Sequence, residues 1–338
     1  MSLRDSIVRA FLREKPPPAG EYQALAEAAT AVLSGEPAAI RPVDARDLPG
    51  GIVRLDPDLP TIIVPDLHAR TGFFLSLMES PLPGGATVSN ALAAGELQML
   101  CLGDGFHAES RAIDRWRSAY DEFIDGYTDS PAMDREMAES MGLMEMVMLS
   151  KLAFPDRFHF LKGNHENVLN EEGNGNHAFR KFVLEGEMVA TYLSRFYGEA
   201  FMERYAAFER NLPLFAIGSR FLASHAEPER PYSESELVNA RLDPDVVLGL
   251  TWTDNGAAEP GSVFALLSRF LPDLERPRYF TGHRTISGLY RERSGGYHLQ
   301  IHNPGKYVVA WAMPDRDIEP DLDIGEIRDI SGRVAAGR

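Results

Sequence analysis

Five short apolar runs constrain the fold of this 338-residue chain, because each run ends in a residue that can bind a metal ion. The run at 61–64 is β-branched at every position, as in a strand that is covered on both faces. Side chains at the carboxyl ends of strands form the usual sites of α/β sheets. The sequence therefore predicts an α/β protein whose polar residues gather at one edge. In chain order, the five ends read Asp66-Leu67-His68, Gly103-Asp104, Gly163-Asn164-His165, Ser224-His225 and Gly282-His283.

The residue types at these ends are those of a metal site. An Asp and a His two positions apart in a tight turn can converge on one cation, and their oxygen and nitrogen atoms suit Mn, Fe or Zn. Asn164 offers a neutral oxygen ligand, and His165 beside it offers an imidazole that gains or loses a proton near neutral pH. Any one of these motifs alone is more often a solvated loop. Because five in series are far rarer by chance, we expect a metal site with an acid beside it.

The formal net charge of −16 argues against partners that need a basic surface. Binding to nucleic acid or to an anionic membrane depends on Lys and Arg side chains that neutralise phosphates. We therefore expect no nucleic acid and no membrane partner, although a local basic pocket for one phosphate stays open. The sequence has no run of about 18 apolar residues and no recognisable secretory leader. Its single Cys101 fits a buried thiol, and the sequence favours a cytoplasmic protein.

Helical segments flank and interrupt the predicted sheets. Residues 1–50 read as an N-terminal helical extension, with a helix at 21–33 after a proline-rich spacer. Residues 51–315 would form the catalytic domain, which is interrupted at about 112–154 by two helices that break near Pro131. The methionines of this insertion recur at helical spacing and fit core packing better than an adaptable binding surface. The polar stretch at 164–176 would form a lip near the site. Residues 177–210 would form a helical region with Phe179 on its apolar face, and residues 316–338 would form a solvated tail.

The order and types of the motifs resemble the calcineurin-like metallophosphoesterase superfamily over roughly Thr61 to Trp311. The form Asn164-His165-Glu166 is more similar to the phosphoprotein phosphatase branch and the symmetrical dinucleotide tetraphosphatases. The stretch Leu250-Thr251-Trp252-Thr253-Asp254 is also similar to a Leu-x-Trp-Ser-Asp stretch of that branch. The resemblance implies a four-layer α/β/β/α sandwich in which loops at one edge hold two divalent metal ions. Mn²⁺ is the first expectation, with Fe or Zn as alternatives.

Position by position, the resemblance implies six metal ligands and one acid. It implies that Asp104 bridges the two metals and that a hydroxide held between them attacks phosphorus in line. It also implies that His165, which is not a ligand, protonates the leaving oxygen. The implied ligands are Asp66, His68 and Asp104 for the first metal, and Asp104, Asn164, His225 and His283 for the second.

The second motif departs from the phosphatase pattern Gly-Asp-x-x-Asp-Arg-Gly. His107 stands where that pattern has the carboxylate that orients the acid, and Ala108 stands where it has a phosphate-binding Arg. A dianionic ester still needs a fork of hydrogen-bond donors. We therefore expect Arg111 or Arg284 to supply the phosphate contact.

Further positions near the motifs leave alternatives open. Either Glu109 or Glu227 could orient His165. Thr285 occupies the second His position of the Gly-His-x-His motif found elsewhere in the superfamily, so the first metal would rely on three protein ligands and water. His302 falls where the phosphatase branch carries a loop over the active site. Contact with substrate is possible there, although a structural role is the simpler interpretation.

The resemblance implies a hydrolase that acts on a phosphorylated substrate, either a small molecule or a phosphoprotein. The first hypothesis is a two-metal phosphomonoesterase similar to the Ser/Thr protein phosphatases. One alternative is a phosphoanhydride hydrolase of dinucleotide polyphosphates. The other is a catalytically weak binding protein that keeps the metals but has lost the phosphate contact.

Overall fold

Two β-sheets form the centre of the protein in the computed structural model, which describes residues 2–336. The strands are β1 (Ile52–Arg54), β2 (Thr61–Val64), β3 (Gln98–Cys101), β4 (Phe158–Phe160), β5 (Phe215–Ile217), β6 (Phe221–Ser224), β7 (Arg278–Thr281), β8 (Arg291–Arg293), β9 (His298–Gln300), β10 (Val308–Ala312) and β11 (Ile324–Glu326). One sheet has the order β11-β10-β2-β3-β4, and the other has the order β1-β5-β6-β7-β9-β8. Strands β2, β3 and β4 pair in parallel, as do β6, β7 and β9. The carboxyl ends of each parallel trio therefore meet at one edge of its sheet.

Helices cover the outer face of each sheet. They are α1 (Leu3–Phe11), α2 (Ala19–Ser34), α3 (Thr71–Met78), α4 (Val88–Ala94), α5 (Ile113–Ile124), α6 (Pro131–Ala153), α7 (Glu185–Tyr197), α8 (Glu199–Asn211), α9 (Glu234–Val238), α10 (Pro244–Thr251), α11 (Ser262–Phe270), α12 (Pro320–Asp323) and α13 (Ser331–Ala336). Local sequence sets several helix starts, because Ser2 and Asp5 form a capping box at α1 and prolines begin α6 and α10. Among residues 2–336, no helix combines the length and the apolar character needed to cross a membrane.

Three apolar cores separate four layers. Side chains alternate along β2, so Ile62 and Val64 pack with the helices beside the five-stranded sheet, whereas Ile63 packs between the two sheets. On the far side, Phe215 and Leu222 of the six-stranded sheet pack with α9, α10 and α11. The four-layer α/β/β/α sandwich predicted from the sequence is confirmed.

The N-terminal helices pack on the insertion between β3 and β4. The insertion forms α5 and α6 with a break before Pro131, as the sequence predicts. Both α1 and α2 contact α6, and the Tyr22 hydroxyl donates to the carbonyl of Met141 at 3.1 Å. The six methionines between 133 and 148 are all buried, which confirms that they belong to the core.

The C-terminal segment differs from the solvated tail expected from its acidic composition. Strand β11 extends the five-stranded sheet by pairing antiparallel with β10. Ile318 and Ile324 are buried in the core between the sheets. Ile327 and Val334 of the same segment pack against the core of the helical layer. These few apolar side chains bury the segment although its average composition is acidic.

Candidate metal centre

The carboxyl ends of five strands bring all six predicted metal ligands together. Asp66 and His68 follow β2, Asp104 follows β3, Asn164 follows β4, His225 follows β6, and His283 follows β7. All of these side chains are buried except that of His283, which is half-buried. We call Asp66, His68 and Asp104 the first ligand set. The second ligand set is Asp104, Asn164, His225 and His283.

Asp104 lies between the two ligand sets. On one side, its Oδ2 is 3.6 Å from Nε2 of His68, which is itself 3.8 Å from Oδ2 of Asp66. On the other side, the same Asp104 oxygen is 3.3 Å from Nε2 of His225, which is 2.9 Å from Oδ1 of Asn164. An anionic oxygen shared in this way suits two neighbouring cations.

His283 connects the second set to the first. Its Nδ1 lies 2.9 Å from Oδ1 of Asn164, and its backbone N–H donates to Oδ2 of Asp66 at 2.8 Å. The other oxygen of Asp66, Oδ1, is buried and has no hydrogen-bond partner among residues 2–336. A buried carboxylate oxygen without a donor is costly unless a cation satisfies it. The residues present therefore fit a bound cation.

Main-chain carbonyls determine which ring nitrogens face the centre. Nδ1 of His225 lies 2.9 Å from the carbonyl oxygen of Leu102, and Nδ1 of His68 lies 3.1 Å from that of His107. In each ring Nδ1 carries the proton that donates there, so Nε2 is the nitrogen that faces the centre. Nε2 of His225 faces the oxygens of Asn164 and Asp104, and it also carries a proton while the ring is cationic. A metal ion can take the place of that proton between Nε2 and the two oxygens, which is the second sign that the residues fit a metal.

Burial and opposite charges set the protonation of the centre. Burial lowers the pKa of His225, but the carboxylates of Asp104 and Asp66 outweigh burial and raise it to about 9. Burial raises the pKa of Asp104, yet His225 and His165 hold it well below its usual range. Asp104 is therefore a carboxylate at neutral pH, which is the form that binds cations.

The backbone is strained at the ligands. His68, Asp104 and His283 all have left-handed φ angles, of 41°, 51° and 56°. Residues with a Cβ adopt this conformation at a cost of about 1–3 kcal/mol each, and such residues cluster at functional sites. The sharp turns direct consecutive side chains to opposite sides of each loop, so that ligands and neighbouring residues separate.

Two glycines allow the loops to pass directly over carboxylates. A Cβ at Gly163 would lie 2.1 Å from Oδ1 of Asp104, and a Cβ at Gly282 would lie 1.6 Å from Oδ1 of Asp66. The φ of Gly163 lies outside the left-handed range, so its close contact with Asp104 is the constraint at this position. Only a residue without a side chain fits at either position.

Glu166 joins the second and third motifs. Its carboxylate accepts hydrogen bonds from the backbone N–H groups of Asp104, Gly105 and Gly163 at 2.9, 2.8 and 2.7 Å. Glu166 therefore fixes the loop that carries Asp104 against the loop that carries Asn164.

His165, the predicted acid, pairs with another histidine. Its Nδ1 lies 2.7 Å from Nδ1 of His107, so one ring donates a hydrogen bond and the other accepts it. Its Nε2 points toward the centre and lies 3.8 Å from Oδ2 of Asp104. Burial lowers the pKa of His107 to about 3 and lowers that of His165 well below its ordinary value, although Asp104 opposes the second shift.

Phe179 packs on this pair. Its ring centroid is 3.8 Å from that of His165 and 4.8 Å from that of His107. The sequence places Phe179 on a helix, but α7 begins only at Glu185 and residues 178–184 form an irregular loop. The Glu185 carboxylate accepts from backbone N–H groups of this loop, at 2.8 Å from Lys181, and so holds it in place without helical hydrogen bonds.

Neither carboxylate considered as an orienting partner reaches His165. Glu109 lies 3.2 Å from Nε2 of His302 and 3.7 Å from Nε2 of His68. Glu227 pairs with an arginine of β8 at 2.8 Å. The sequence alone could not separate these two candidates, because both lie in loops whose direction depends on the fold.

A cavity of about 220 Å³ opens over the centre. Arg284 lines this cavity and forms an ion pair with Asp254 at 2.7 Å. Arg111 lies instead on a neighbouring cavity and pairs with Glu139 at 2.7 Å. Of the two predicted phosphate contacts, Arg284 shares its cavity with members of both ligand sets, whereas Arg111 shares its cavity with His68 alone among the predicted ligands. The lining residues are His68, Asp104, Glu109, Asn164, His165, Ala178, Phe179, Arg180, Lys181, Trp252, His283 and Arg284.

Two cationic residues of this cavity are not among the site residues predicted from the sequence. Arg180 lines the cavity and pairs with no carboxylate in the described part of the chain, whereas Lys181 lies 3.5 Å from Glu109. Adjacent Arg and Lys residues in a strongly acidic chain, directly after a Gly-rich loop, are the signal that could have identified them.

Comparisons with known proteins show similarity at the level of fold. No protein-family model and no curated protein matches the chain. Among solved structures, it is similar to a protein serine/threonine phosphatase from Saccharomyces cerevisiae with similarity to human phosphatase PP5, at a TM-score of 0.59 and 16% identity over 93% of this chain and 91% of that one. It is also similar to a cold-active protein-tyrosine phosphatase of a psychrophilic Shewanella species, at a TM-score of 0.46 and 14% identity over 81% and 83%. We draw on the first likeness alone, and only for the fold.

Proposed function

Given that the chain has the fold of the calcineurin-like metallophosphoesterases, we propose that it hydrolyses phosphate esters with two bound divalent cations. The proposed cations are Mn²⁺, because the ligand sets mix carboxylate and amide oxygens with imidazole nitrogens. The proposed substrate class is a phosphomonoester, either a small molecule or a phosphoprotein.

The observation that carries this proposal is the position of Asp104 between two sets of ligand atoms. Nε2 of His225 and the oxygens of Asn164 and Asp104 converge on one point, where a metal ion can replace the proton that His225 carries. The unpartnered Oδ1 of Asp66 adds a further buried acceptor nearby. Such a concentration of acceptors suits cations and supports a two-metal site.

Bound cations would supply an activated water for in-line attack on phosphorus and would neutralise charge on its oxygens. The chain's own residues would do the rest. Arg180 and Arg284 line the cavity and would hold the equatorial phosphate oxygens. His165 lines the same cavity and would give a proton from Nε2 to the leaving oxygen, with His107 holding its other nitrogen.

A second candidate function is hydrolysis of a dinucleotide polyphosphate. The cavity carries three cations, Arg180, Lys181 and Arg284, which is more positive charge than one phosphoryl group needs. Trp252 also lines it and offers an aromatic face on which a base could stack. These features fit a ligand with several phosphates and a base, which is the substrate class of the phosphoanhydride alternative.

A metal-dependent activity screen tests the proposal. The protein, stripped with a chelator and reloaded with Mn²⁺, would be assayed on an aryl phosphate, a phosphopeptide and diadenosine tetraphosphate. We expect hydrolysis of a monoester that the chelator abolishes. The matched variant Asp104→Asn should lose both activity and metal, because no other carboxylate is shared by the two sets. Preference for diadenosine tetraphosphate would select the second function, and no turnover on any substrate by the Mn²⁺-loaded protein would favour a binding protein.

A further inference from the structure

We propose that His302 and Glu109 complete the first ligand set, so that the first cation takes five protein ligands. This inference rests on the proposed two-metal function. The sequence leaves that cation with three protein ligands and water, because Thr285 stands where related proteins carry a second His. The fold instead brings a histidine and a carboxylate from two other loops to the same point.

The parallel pairing of the six-stranded sheet places His302 at the centre. Strand β9 runs parallel to β7, so the residues that follow β9 emerge beside those that carry His283. The side chain of His302 is fully buried. Its Nε2 lies 3.9 Å from Oδ2 of Asp66, and the nitrogen and oxygen atoms of Asp66, His68 and His302 all lie within 4.8 Å of one another.

Glu109 reaches the same group of atoms from the second motif. Its Oε2 lies 3.2 Å from Nε2 of His302, and its Oε1 lies 3.7 Å from Nε2 of His68. Among residues 2–336, the contact with Glu109 is the only hydrogen bond of the His302 ring, because its Nδ1 has no partner. A buried imidazole that forms so few hydrogen bonds is explained if Nε2 binds a cation.

The separations match those of ligands around one cation. Bonds of about 2.0–2.2 Å place neighbouring ligand atoms roughly 3–3.5 Å apart. The pairs Glu109–His302, Glu109–His68, His68–Asp66 and His302–Asp66 are 3.2, 3.7, 3.8 and 3.9 Å apart, with Glu109 facing His302 through Oε2 and His68 through Oε1. A contraction of a few tenths of an ångström brings each of these pairs into that range. Carboxylates in this number favour a hard cation such as Mn²⁺.

Position 285 does not offer the alternative ligand. Thr285 is exposed and lines a surface depression together with residues 286–288, Tyr290 and Arg291, none of which belongs to either ligand set. The left-handed turn at His283 is followed by Thr285, whose side chain is exposed to solvent. A ligand from a different strand end is therefore needed to fill the coordination of the first cation.

The helical insertion holds the loop that carries Glu109. The backbone N–H of His107 donates to Oγ of Ser140 at 3.2 Å, and that of Ala108 donates to Oε1 of Glu136 at 2.8 Å, both from α6. Trp116 of α5 donates its indole N–H to the carbonyl of Ala108 at 2.7 Å. These contacts hold the two residues directly before Glu109 in place.

Manganese titration of the full-length, chelator-treated protein tests the inference. Calorimetry and elemental analysis would give the affinity and number of bound Mn²⁺ ions, and electron paramagnetic resonance would show whether the ions are spin-coupled. We expect two ions in the unaltered protein. His302→Ala and Glu109→Gln should each lower the affinity for one Mn²⁺ ion roughly tenfold or more and leave the other ion bound. The spin-coupled signal should then be lost. The control His177→Ala alters an exposed histidine beside the site and should bind like the unaltered protein.

The outcomes separate this inference from the proposed function. Two ions of unchanged affinity in both variants would overturn the inference and leave the two-metal enzyme intact. No Mn²⁺ binding by the unaltered protein would overturn the proposed function, and the inference with it. If His302→Ala does not fold by circular dichroism, Glu109→Gln and the milder His302→Gln decide the question, because both keep the approximate volume of the original side chain.

Discussion

Nδ1 of His165 lies 2.7 Å from Nδ1 of His107, so the proposed acid is oriented by an imidazole where the phosphatase pattern has a carboxylate. Burial lowers the pKa of His107 to about 3, which keeps this ring neutral. A neutral acceptor stabilises a protonated His165 less than a carboxylate does, because hydrogen bonds between charged groups are roughly twice as strong. The pair should therefore orient His165 well and support its protonated form weakly.

Replacing His107 with Asp tests this difference. A carboxylate at 107 should stabilise the protonated form of His165 by about 1 kcal/mol more than the imidazole does, and so speed hydrolysis of alkyl phosphates about fivefold. Activated aryl phosphates should change little, since their leaving groups need no proton. The control His107→Asn keeps a neutral hydrogen-bond acceptor and should not increase the rate of alkyl phosphate hydrolysis. Equal effects of Asp and Asn on alkyl phosphate turnover would contradict the charge argument.

Removal of His165 itself should distinguish acid catalysis from a structural role. His165→Ala should keep the bound Mn²⁺, because its side chain belongs to neither ligand set. Turnover of esters with poor leaving groups should fall by about 10²–10⁴-fold, since only these esters need a proton in the transition state. Activated aryl esters should be much less affected. A linear free-energy plot of kcat against leaving-group pKa measures this, and parallel plots for both proteins would count against the acid role.

Arg180 should contribute more to substrate binding than Arg111. Arg180 lines the cavity over the centre without a carboxylate partner among residues 2–336, whereas Arg111 pairs with Glu139 on a neighbouring cavity. Arg180→Ala should lower kcat/KM roughly 10- to 150-fold, because a charged hydrogen bond to phosphate worth about 1.5–3 kcal/mol is lost. Arg111→Ala should stay within about twofold, and Arg284→Ala should fall between the two because Asp254 shares its charge. Steady-state kinetics that rank Arg111 first would refute this order.

The sequence predicts the strand ends well and the loops poorly, for a physical reason. Each parallel strand joins a buried apolar run to a polar end, so Asp66 and Asp104 can be placed at one edge from short-range pattern alone. The contact between Glu109 and His302 joins residues 193 positions apart and depends on sheet order, which no local pattern reveals. The sequence misplaces Phe179 because a phenylalanine that packs on a histidine from a loop cannot be told, by residue type alone, from one on the apolar face of a helix.

The buried His159 should make the protein sensitive to mild acid. This residue lies on β4, away from the centre, and burial, with Lys151 and Arg41 nearby, lowers its pKa well below the ordinary value. The unfolded chain takes up a proton near pH 6.5 that the folded protein excludes, so stability is fully present above that pH and is lost as the pH falls below it. The loss should be at most about 1.4 kcal/mol per pH unit. Urea unfolding at pH 7.5 and 5.5 would measure it.

His159→Asn should remove this contribution and reduce the difference in unfolding free energy between the two pH values. The variant removes a ring whose Nδ1 has no hydrogen-bond partner among residues 2–336, so its cost at pH 7.5 comes from lost packing and does not change with pH. His177→Asn, at an exposed site, serves as the matched control and should keep the full acid sensitivity. Because all three proteins keep the metal ligands, titration of the centre cancels in the comparison. Identical pH dependence in His159→Asn and the unaltered protein would mean that His159 does not cause the acid sensitivity.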